Sequence, residues 1–230
     1  MRGVIWRVRG EFASFRPFYL TSIVETYPFP PKTVVVGMVG AACGFSEQDL
    51  IPLYDALKVG IEIVSIRGYY NDLVRIWKVF SRTDIKRQLY VIVKRFLFKP
   101  EFRLYIASED TSLIELARKR IEDPVYPITL GDSDSLYYPA FGDVIEVEVG
   151  RVKSRRIRTL FPAKLAGGMH YDRPPEGEFL LYPRINPAPV KFEEGRKVIT
   201  ERILVHGGGE ALLKEEVELY EFRGVPVYLF

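Results

Sequence analysis

A single cysteine, Cys43, is present among the 230 residues of the chain. No disulfide can therefore form within it, and this usage is typical of the reducing cytosol, so a cytoplasmic location is expected. The longest apolar run, Val34 to Phe45, is too short to span a bilayer. The first residues lead directly into a strand pattern that contains arginines, so no signal peptide is predicted.

Histidine is also scarce, with only two in the chain, His170 and His206. No Cys/His cluster has the spacing of a zinc site and no GxxxxGK[ST] loop is present, so neither a metal nor a cofactor is predicted. Gly207 to Gly209 follow His206, and a His-Gly-Gly-Gly sequence of this kind occurs at lipase oxyanion holes. The chain lacks the G-x-S-x-G nucleophile motif that such an enzyme needs, which argues against that activity.

Asparagine and glutamine occur only twice each, against 33 basic and 30 acidic residues, a bias typical of thermophilic proteins. Hydrophobic residues make up 47% of the chain, which is typical of a globular protein. A chain of 230 residues forms one large domain or two small ones with a substantial core.

The net charge is only +3, but the charge is segregated along the chain. Residues 67–103 hold ten basic residues against three acidic ones, a net charge of +7. Residues 151–173 hold seven against one, a net charge of +6, so the remainder is acidic. Segregation of this kind predicts a polyanionic partner such as a nucleic acid.

The segment Tyr27–Gly44 combines an extended, proline-rich approach with a small, apolar helix. The helix is predicted to start near Lys32, with Thr33 as N-cap and Gly44 as C-cap. Its glycines reduce its intrinsic helix propensity, so another group must approach its backbone closely. That group is either a packed sheet or a ligand, and in the second case Lys32 and the helix N-terminus face an anion such as a phosphate.

Hydrophobic periodicity predicts the order β-α-β-β-α-β. This order is that of an α+β, ferredoxin-like (RRM-type) fold. The second helix has the clearest apolar face and is predicted to begin at an Asp110 cap. The expected strands lie at 3–9, 60–67, 102–106 and 143–149, and the expected helices at 32–44 and 108–122. The aromatic signature with which RRM sheets bind RNA is missing, so binding on the sheet face is not assumed.

Residues 69–99 mix aromatic and basic side chains and alternate as two arms of a hairpin would. They form either an ordinary solvated hairpin or an arm that grips an RNA backbone. Phe12 and Phe15, in a turn with Arg16, either pack in the core or stack on bases. From Gly150 the chain becomes basic and then proline-rich. We therefore predict a domain at 1–150 and a smaller β-rich subdomain at 151–230.

Four segments together resemble the CRISPR-associated protein 5 family, whose members are RNA-binding subunits of type I Cascade complexes. They are Phe12–Pro17, Tyr27–Gly44, Tyr126–Gly131 and Gly224–Phe230. The resemblance implies a non-catalytic subunit that caps the 5′ handle of the CRISPR RNA. It also implies contacts with the backbone and large subunits of Cascade, and a β-hairpin thumb at about residues 67–99 that closes over the RNA.

Candidate RNA-binding residues are basic side chains of the predicted arm, the first helix and the basic segment after 150, together with loop glycines and one histidine. They are Arg7, Arg16, Lys32, Thr33, Arg75, Lys78, Arg82, Lys86, Arg87, Gly131, Arg155, Arg156, Arg158, Gly167, Gly168 and His170. Lysines and arginines neutralise phosphates, which position an RNA, whereas splayed bases are read by aromatic rings and loop amides.

Two alternatives remain open at this stage. His170, Tyr171 and Lys164 have the residue types for metal-independent RNA cleavage, which needs a general base, a general acid and a cation near the phosphate. One subtype of the family uses Tyr, Lys and His in this way with the Lys and His adjacent, an arrangement that this chain lacks. The other alternative is a general single-strand-binding module with no preference for repeat RNA.

Overall fold

The computed structural model describes residues 1–20, 24–79, 87–170, 184–194, 197–207 and 209–230, with the backbone alone at 76–79, 87–88 and 168–170. The helices are α1 (Lys32–Cys43), α2 (Glu47–Ala56) and α3 (Thr111–Glu122), with a 3-10 turn at Ala163–Leu165. The strands are β1 (Arg2–Arg9), β2 (Phe12–Ala13), β3 (Lys58–Val79), β4 (Arg87–Ser108), β5 (Ile128–Thr129), β6 (Leu136–Tyr137), β7 (Val144–Ile157), β8 (Phe161–Pro162), β9 (Ala166–His170), β10 (Arg184–Glu193), β11 (Lys197–Val205), β12 (Glu210–Phe222) and β13 (Val225–Val227).

The main sheet has eight strands, and its centre has the order β3–β4–β1–β7. On the far side of β7, β12 and β13 continue the sheet, and β2 and β9 pair at its margins. All of these strand pairs are antiparallel. The predicted α+β class is therefore confirmed. The predicted boundary at residue 150 falls inside β7, and the division into two domains stays a prediction.

Strand β1 shows why the sequence pattern gives this arrangement. Val4, Trp6 and Val8 are fully buried, whereas Arg7 and Arg9 on the other face are exposed. The Trp6 indole donates a hydrogen bond to the Tyr137 hydroxyl at 3.1 Å, which satisfies the polar atom that its burial would otherwise leave unpaired. The strand predicted at 3–9 is confirmed, and its arginines lie on the outer face.

Helix α1 begins at Lys32, as the sequence pattern indicates, but its N-cap is a different residue. The predicted N-cap at Thr33 is wrong, because Lys32 is already helical and Pro31 is the N-cap. The Pro31 carbonyl accepts the first helical bonds, from the amides of Val34 and Val35 at 2.9 and 3.1 Å. Gly44 adopts the left-handed conformation at φ 77° and ends the helix as predicted.

A neighbouring helix explains one of the α1 glycines. A Cβ at Gly40 would lie 2.3 Å from Cδ2 of Leu50 on α2, so α2 packs against bare backbone there. A Cβ at Gly37 would meet nothing within 4 Å. At Gly40 the close approach expected from the sequence is thus made by a helix, whereas a sheet or a ligand was predicted.

The segment after β13 closes the outer edge of β3. The amide of Val59 donates to the carbonyl of Phe230 at 3.2 Å, and the amide of Phe230 donates back at 3.0 Å. The Leu160 amide adds a bond to the Ile61 carbonyl at 2.7 Å. The sheet runs from β3 through β4, β1, β7 and β12 to β13. The bonds of Phe230, just after β13, therefore join the chain at one end of this order to β3 at the other end.

Candidate nucleic-acid interface

Strands β3 and β4 form a long two-stranded ribbon. Their pairing runs from Lys58 opposite Ala107 to Val79 opposite Arg87. In the described chain, the ribbon from Asn71 to Val79 pairs with β4 and with no other strand. At 3.3–3.4 Å per residue this part extends roughly 25–30 Å. The residues between the two strands, 80–86, lie outside the described ranges.

Four aromatic rings meet on one face at the base of the ribbon, where β2 pairs with β4. Phe12 lies opposite Phe98, and Tyr70 lies opposite Phe96, so the rings share that face. The Phe12 ring centroid is 5.7 Å from Phe98, 6.1 Å from Phe96 and 5.5 Å from Tyr70. We call Phe12, Tyr70, Phe96 and Phe98 the aromatic cluster.

The aromatic cluster is accessible from solvent. Phe12 is 37% exposed and Tyr70 is 49% exposed, although large aromatic rings are normally well covered in a folded chain. Phe15, three residues after Phe12, is 1% exposed and packs edge-on against Phe102 with centroids 5.8 Å apart. The two phenylalanines that the sequence left with alternative roles therefore separate, with Phe15 in the core and Phe12 on an open surface.

Two lysines lie over the edge of this surface. The ammonium of Lys94 is 4.9 Å from the Phe96 ring centroid, and that of Lys99 is 5.4 Å from the Phe98 ring centroid. Both distances allow a cation–π contact. Lys94 also pairs with Asp132, and Lys99 lies 3.7 Å from Glu11. Both cations are thereby held beside the rings, with the Lys94 side chain 20% exposed and the Lys99 side chain 40% exposed.

The opposite face of the ribbon also combines an arginine with an aromatic ring. The Arg95 guanidinium is 5.8 Å from the Tyr69 ring centroid, and it pairs with Glu25 at 2.9 Å and with the Asn71 side chain at 3.1 Å. Tyr69 is 36% exposed. Both faces at the base of the ribbon thus present a cation beside an accessible ring.

The predicted arm residues lie partly within the described chain. Arg75 is exposed on the ribbon. Lys78 and Arg87 lie on its paired strands, with side chains outside the described part, and Arg82 and Lys86 fall between the strands, outside it altogether. Their role in binding stays a prediction.

Arg7 and Arg16 lie on the surface but are engaged with protein groups. Nε of Arg7 donates to the Glu101 carboxylate at 2.6 Å, and this bond raises the pKa of the Arg7 guanidinium. Nη2 of Arg16 donates to the Leu20 carbonyl at 3.1 Å. Arg7 is 48% exposed, so its remaining donors reach solvent.

Lys32 and Thr33 lie inside the protein. Lys32 is 8% exposed and Thr33 6% exposed, and the Lys32 ammonium donates to the Phe230 carbonyl at 2.9 Å. Burial lowers the pKa of Lys32 to about 8, and the nearby Lys191 and Lys58 charges act in the same direction against the opposing effect of Asp55. A phosphate at the α1 N-terminus would need an exposed cation there, and this lysine is committed to an internal bond.

The predicted arginines after residue 150 lie at the end of β7 or, for Arg158, directly after it. Nε of Arg155 donates to the Leu213 carbonyl at 3.0 Å. Arg156 and Arg158 converge on Glu210, at 3.7 and 3.2 Å, and are 71% and 52% exposed. Two guanidinium groups that share one carboxylate keep donors available for a second anion.

The predicted loop glycines are explained by contacts within the protein. Gly131 has φ +88°, and a Cβ there would lie 2.3 Å from the Ser14 carbonyl oxygen. A Cβ at Gly167 would lie 2.6 Å from the Leu213 carbonyl oxygen, where β9 pairs with β12. Gly168 and His170 lie on β9 opposite Leu212 and Glu210. The role of these glycines and of His170 in RNA binding stays a prediction.

The residues of the cleavage alternative are only partly described. Lys164 is exposed in the 3-10 turn, His170 ends β9, and Tyr171 lies outside the described ranges. His206, by contrast, is 3% exposed, its Nε2 donates to the Thr159 carbonyl at 3.1 Å, and burial lowers its pKa. Within the described residues no group of three or more His, Cys, Asp or Glu is arranged to hold a metal ion.

Sequence reasoning did not single out the aromatic cluster as a site. The available signal was the alternation Lys94, Phe96, Phe98, which places a lysine and two rings on one face of a strand. Its meeting with Phe12 depends on the β2–β4 register, which no local pattern specifies.

The four sequence segments noted above meet around α1. The Ser14 amide bonds to the Leu130 carbonyl at 3.0 Å, and the Tyr126 amide bonds to the Ala41 carbonyl at 3.2 Å. Lys32 joins the last segment through Phe230. These segments therefore specify the packing around α1, and the open aromatic surface lies beside them.

Comparison with protein families gives one match that covers most of the chain. The family model described as CRISPR-associated protein (Cas_Cas5) matches residues 3–181. No curated protein matches the chain.

Solved structures give the fold. A crystal structure of a CRISPR protein from Archaeoglobus fulgidus is 17% identical, with a TM-score of 0.59 over 99% of this chain and 98% of that one. A chain of a CRISPR RNA-guided surveillance complex is 15% identical, with a TM-score of 0.57 over 92% and 91%. A further Cas protein, 24% identical with a TM-score of 0.39, is matched over 60% of this chain and only 63% of its own length. No helix in the described ranges is long and apolar enough to cross a membrane.

Proposed function

The chain belongs to the CRISPR-associated protein (Cas_Cas5) family, and on that premise we propose that it is a non-catalytic RNA-binding subunit of a CRISPR RNA-guided complex. In this proposal it caps the 5′ handle of the guide RNA. The observation that carries the proposal is the aromatic cluster with Lys94 and Lys99 at its edge.

The chemistry of that surface fits single-stranded RNA. Each base has an apolar face that stacks on an exposed ring, which contributes ~1–3 kcal/mol per base. The phosphates that join the bases are negatively charged, and Lys94 and Lys99 lie at the edge of the same rings. A duplex offers no free base faces, so this surface favours an unpaired strand such as a 5′ handle.

The proposal extends to the fold and to the ribbon. The central order β3–β4–β1–β7, with α1 between β1 and β3 and α3 between β4 and β7 along the chain, is the order expected for a ferredoxin-like domain. In this assignment the part of the β3–β4 ribbon beyond the sheet is the thumb, and it closes over RNA bound at its base.

The proposed partners are the guide RNA and the backbone and large subunits of a type I Cascade complex. The family supplies this expectation, and the segregated charge is consistent with it. The described parts of both basic segments lie on or beside long strands, β3, β4 and β7, and extended basic surfaces are of the kind that an RNA backbone tracks.

The test is incubation of the purified chain, in EDTA, with end-labelled repeat RNA and a scrambled control, scored for retention and for cleavage. Selective retention of intact repeat RNA supports the handle-binding subunit. Equal retention of both RNAs supports a general single-strand-binding module instead. Site-specific cutting without metal contradicts the non-catalytic role, and His170→Ala then separates cleavage from binding.

A further inference from the structure

The turn between β1 and β2 has an open pocket on each side. The two pockets share three lining residues, Arg9, Gly10 and Glu11. The one that we call the Tyr138 pocket has a volume of about 270 Å³ and is completed by Phe12, Asp134, Ser135, Leu136 and Tyr138. The other, which we call the Arg67 cleft, has a volume of about 400 Å³ and is completed by Ser65, Arg67, Lys99, Pro100 and Glu101.

The Arg67 cleft brings together three cations from three strands, Arg9 on β1, Arg67 on β3 and Lys99 on β4. Arg67 is exposed and has no ion pair among the described residues. Nη2 of Arg9 lies 3.6 Å from the Asp143 carboxylate, and Nζ of Lys99 lies 3.7 Å from that of Glu11. Both distances are longer than a hydrogen bond, so the donors of all three side chains remain available to an anion.

The carboxylates around the Arg67 cleft do not cancel this charge. Glu101 is bound by Arg7 at 2.6 Å, outside the lining. Counted with Arg7, four cations face the three carboxylates of Glu11, Glu101 and Asp143, which leaves one positive charge in excess. The cleft therefore suits one singly charged anion, such as the phosphodiester of a nucleic acid.

The Tyr138 pocket offers flat apolar walls. Tyr138 is 76% exposed and Leu136 is 38% exposed, and Phe12 is a ring of the aromatic cluster. The volume of this pocket lies below the ~300–1,000 Å³ of sites for drug-sized ligands, so it suits a single ring system. An accessible aromatic ring stacks on the face of any base.

Asp134 gives the Tyr138 pocket a means of choosing among bases. It is exposed, and its carboxylate has no hydrogen-bond or ion-pair partner among the described residues. An ionised carboxylate only accepts hydrogen bonds and does so through two oxygens. Guanine presents two adjacent donors, N1–H and N2–H, on its Watson–Crick edge, whereas adenine, cytosine and uracil each place an acceptor beside their donor. A carboxylate in this position therefore favours guanine.

We infer that the β1–β2 turn and its two pockets form a nucleotide subsite that reads one guanine of the bound strand, an inference that rests on the proposed RNA-binding function. The guanine base enters the Tyr138 pocket, where Asp134 accepts its two donors, and its phosphate lies in the Arg67 cleft. The subsite adjoins the aromatic cluster, because Phe12 belongs to both and Lys99 lies over the Phe98 ring. A strand stacked on the aromatic cluster thus continues directly into the subsite.

The probes are fluorescein-labelled single-stranded RNAs of about 11 nucleotides, within the ~4–16 that one single-strand-binding fold covers. One consists of uridine alone, and the other three carry a single central guanosine, adenosine or cytidine. Fluorescence anisotropy with the full chain measures the four affinities. The guanosine RNA is expected to bind at least about tenfold more tightly than the other three, since a bidentate contact to one base edge gives discrimination of that order.

Variants separate the base contact from the phosphate contact. Asp134→Asn should lower the affinity for the guanosine RNA about tenfold, to that of the other three. Asp123→Asn is the matched control, because Asp123 is also an exposed aspartate but lies at the end of α3, and the preference should persist in it. Arg9→Gln combined with Arg67→Gln should weaken all four RNAs alike and reduce the slope of log affinity against log salt by about 1–1.5.

Several outcomes would overturn the inference. They are equal affinities for the four RNAs, a guanosine preference that persists in Asp134→Asn, and no binding of any of them. Competition by free GMP at the concentration at which the guanosine RNA binds would assign the pocket to a free nucleotide and also overturn it. If the four RNAs bind equally and Phe12→Ala weakens them all, the proposed function stands and this inference alone fails. Absence of binding to these RNAs and to repeat RNA removes both.

Discussion

The ammonium nitrogen of Lys32 lies 2.9 Å from the main-chain carbonyl oxygen of Phe230, although the residues are 198 positions apart in the sequence. The same carbonyl accepts the Val59 amide at 3.2 Å. The first turn of α1, the start of β3 and the segment after β13 therefore share one acceptor. A lysine that sequence reasoning assigned to phosphate binding instead holds three elements of the fold together.

The burial of Lys32 gives a pH dependence of stability with a definite sign. Its pKa is about 8 in the folded chain and 10.5 in the reference state, so between these values the unfolded chain binds more protons. The free energy of unfolding should therefore gain a rising contribution as pH increases from 8 to 10.5, of roughly 2–3 kcal/mol. Lys32→Met should lack this contribution. Urea unfolding of both proteins across that range measures the difference, and parallel pH profiles would contradict it.

The aromatic cluster should supply stacking energy to RNA binding. Phe12→Ala or Phe96→Ala should weaken binding of single-stranded repeat RNA by about tenfold each, because one stacked base is worth ~1–3 kcal/mol. Tyr126→Ala is the control, since Tyr126 is 56% exposed but is not among the rings of the aromatic cluster. Filter binding at fixed salt provides the affinities. Equal losses in the control and in the cluster variants would argue against stacking at this place.

Lys94 and Lys99 should determine part of the salt dependence. If both contact phosphates, the double substitution Lys94→Gln, Lys99→Gln should reduce the slope of log affinity against log salt by about 1–1.5. Arg118→Gln on α3 serves as a control that also removes one surface cation with a carboxylate neighbour, Glu122 at 3.5 Å. Titrations at several salt concentrations give the slopes. An unchanged slope in the double variant would remove the two lysines from the interface.

Gly131 should be more sensitive to substitution than a glycine with the same backbone conformation and more space. Gly131→Ala combines φ +88° with a Cβ 2.3 Å from the Ser14 carbonyl oxygen, so the cost should exceed the ~1 kcal/mol of the left-handed conformation alone. Gly142→Ala is the comparison, since Gly142 has φ +81° and no atom within 4 Å of the new Cβ. Denaturant unfolding gives both free energies, and equal losses would show that the Ser14 contact relaxes without cost.

Local patterns in the sequence predicted the elements that depend on local interactions. Asp110 caps α3 as expected, with its carboxylate accepting from the amides of Ser112 and Leu113 at 2.9 and 3.3 Å. The alternation of β1 also specified its buried face. Both features involve residues a few positions apart, so their signal lies within one short window.

The features that the sequence did not reveal depend on distant partners. The burial of Lys32 requires Phe230, and the aromatic cluster requires Phe12 to meet β4 in one particular register. Tertiary pairing decided each of these positions, and no single-sequence pattern encodes it.

The bonds between Val59 and Phe230 also bear on solubility. An unpaired strand edge offers amide and carbonyl groups to any other chain, and such edges are the usual starting point of β-sheet aggregation. At the base of β3 those groups are already taken by Phe230 and Leu160. Residues 228–230 thus cover this edge of β3. A chain shortened by these three residues would expose the amide and carbonyl groups of Val59 to pairing with a strand of another molecule.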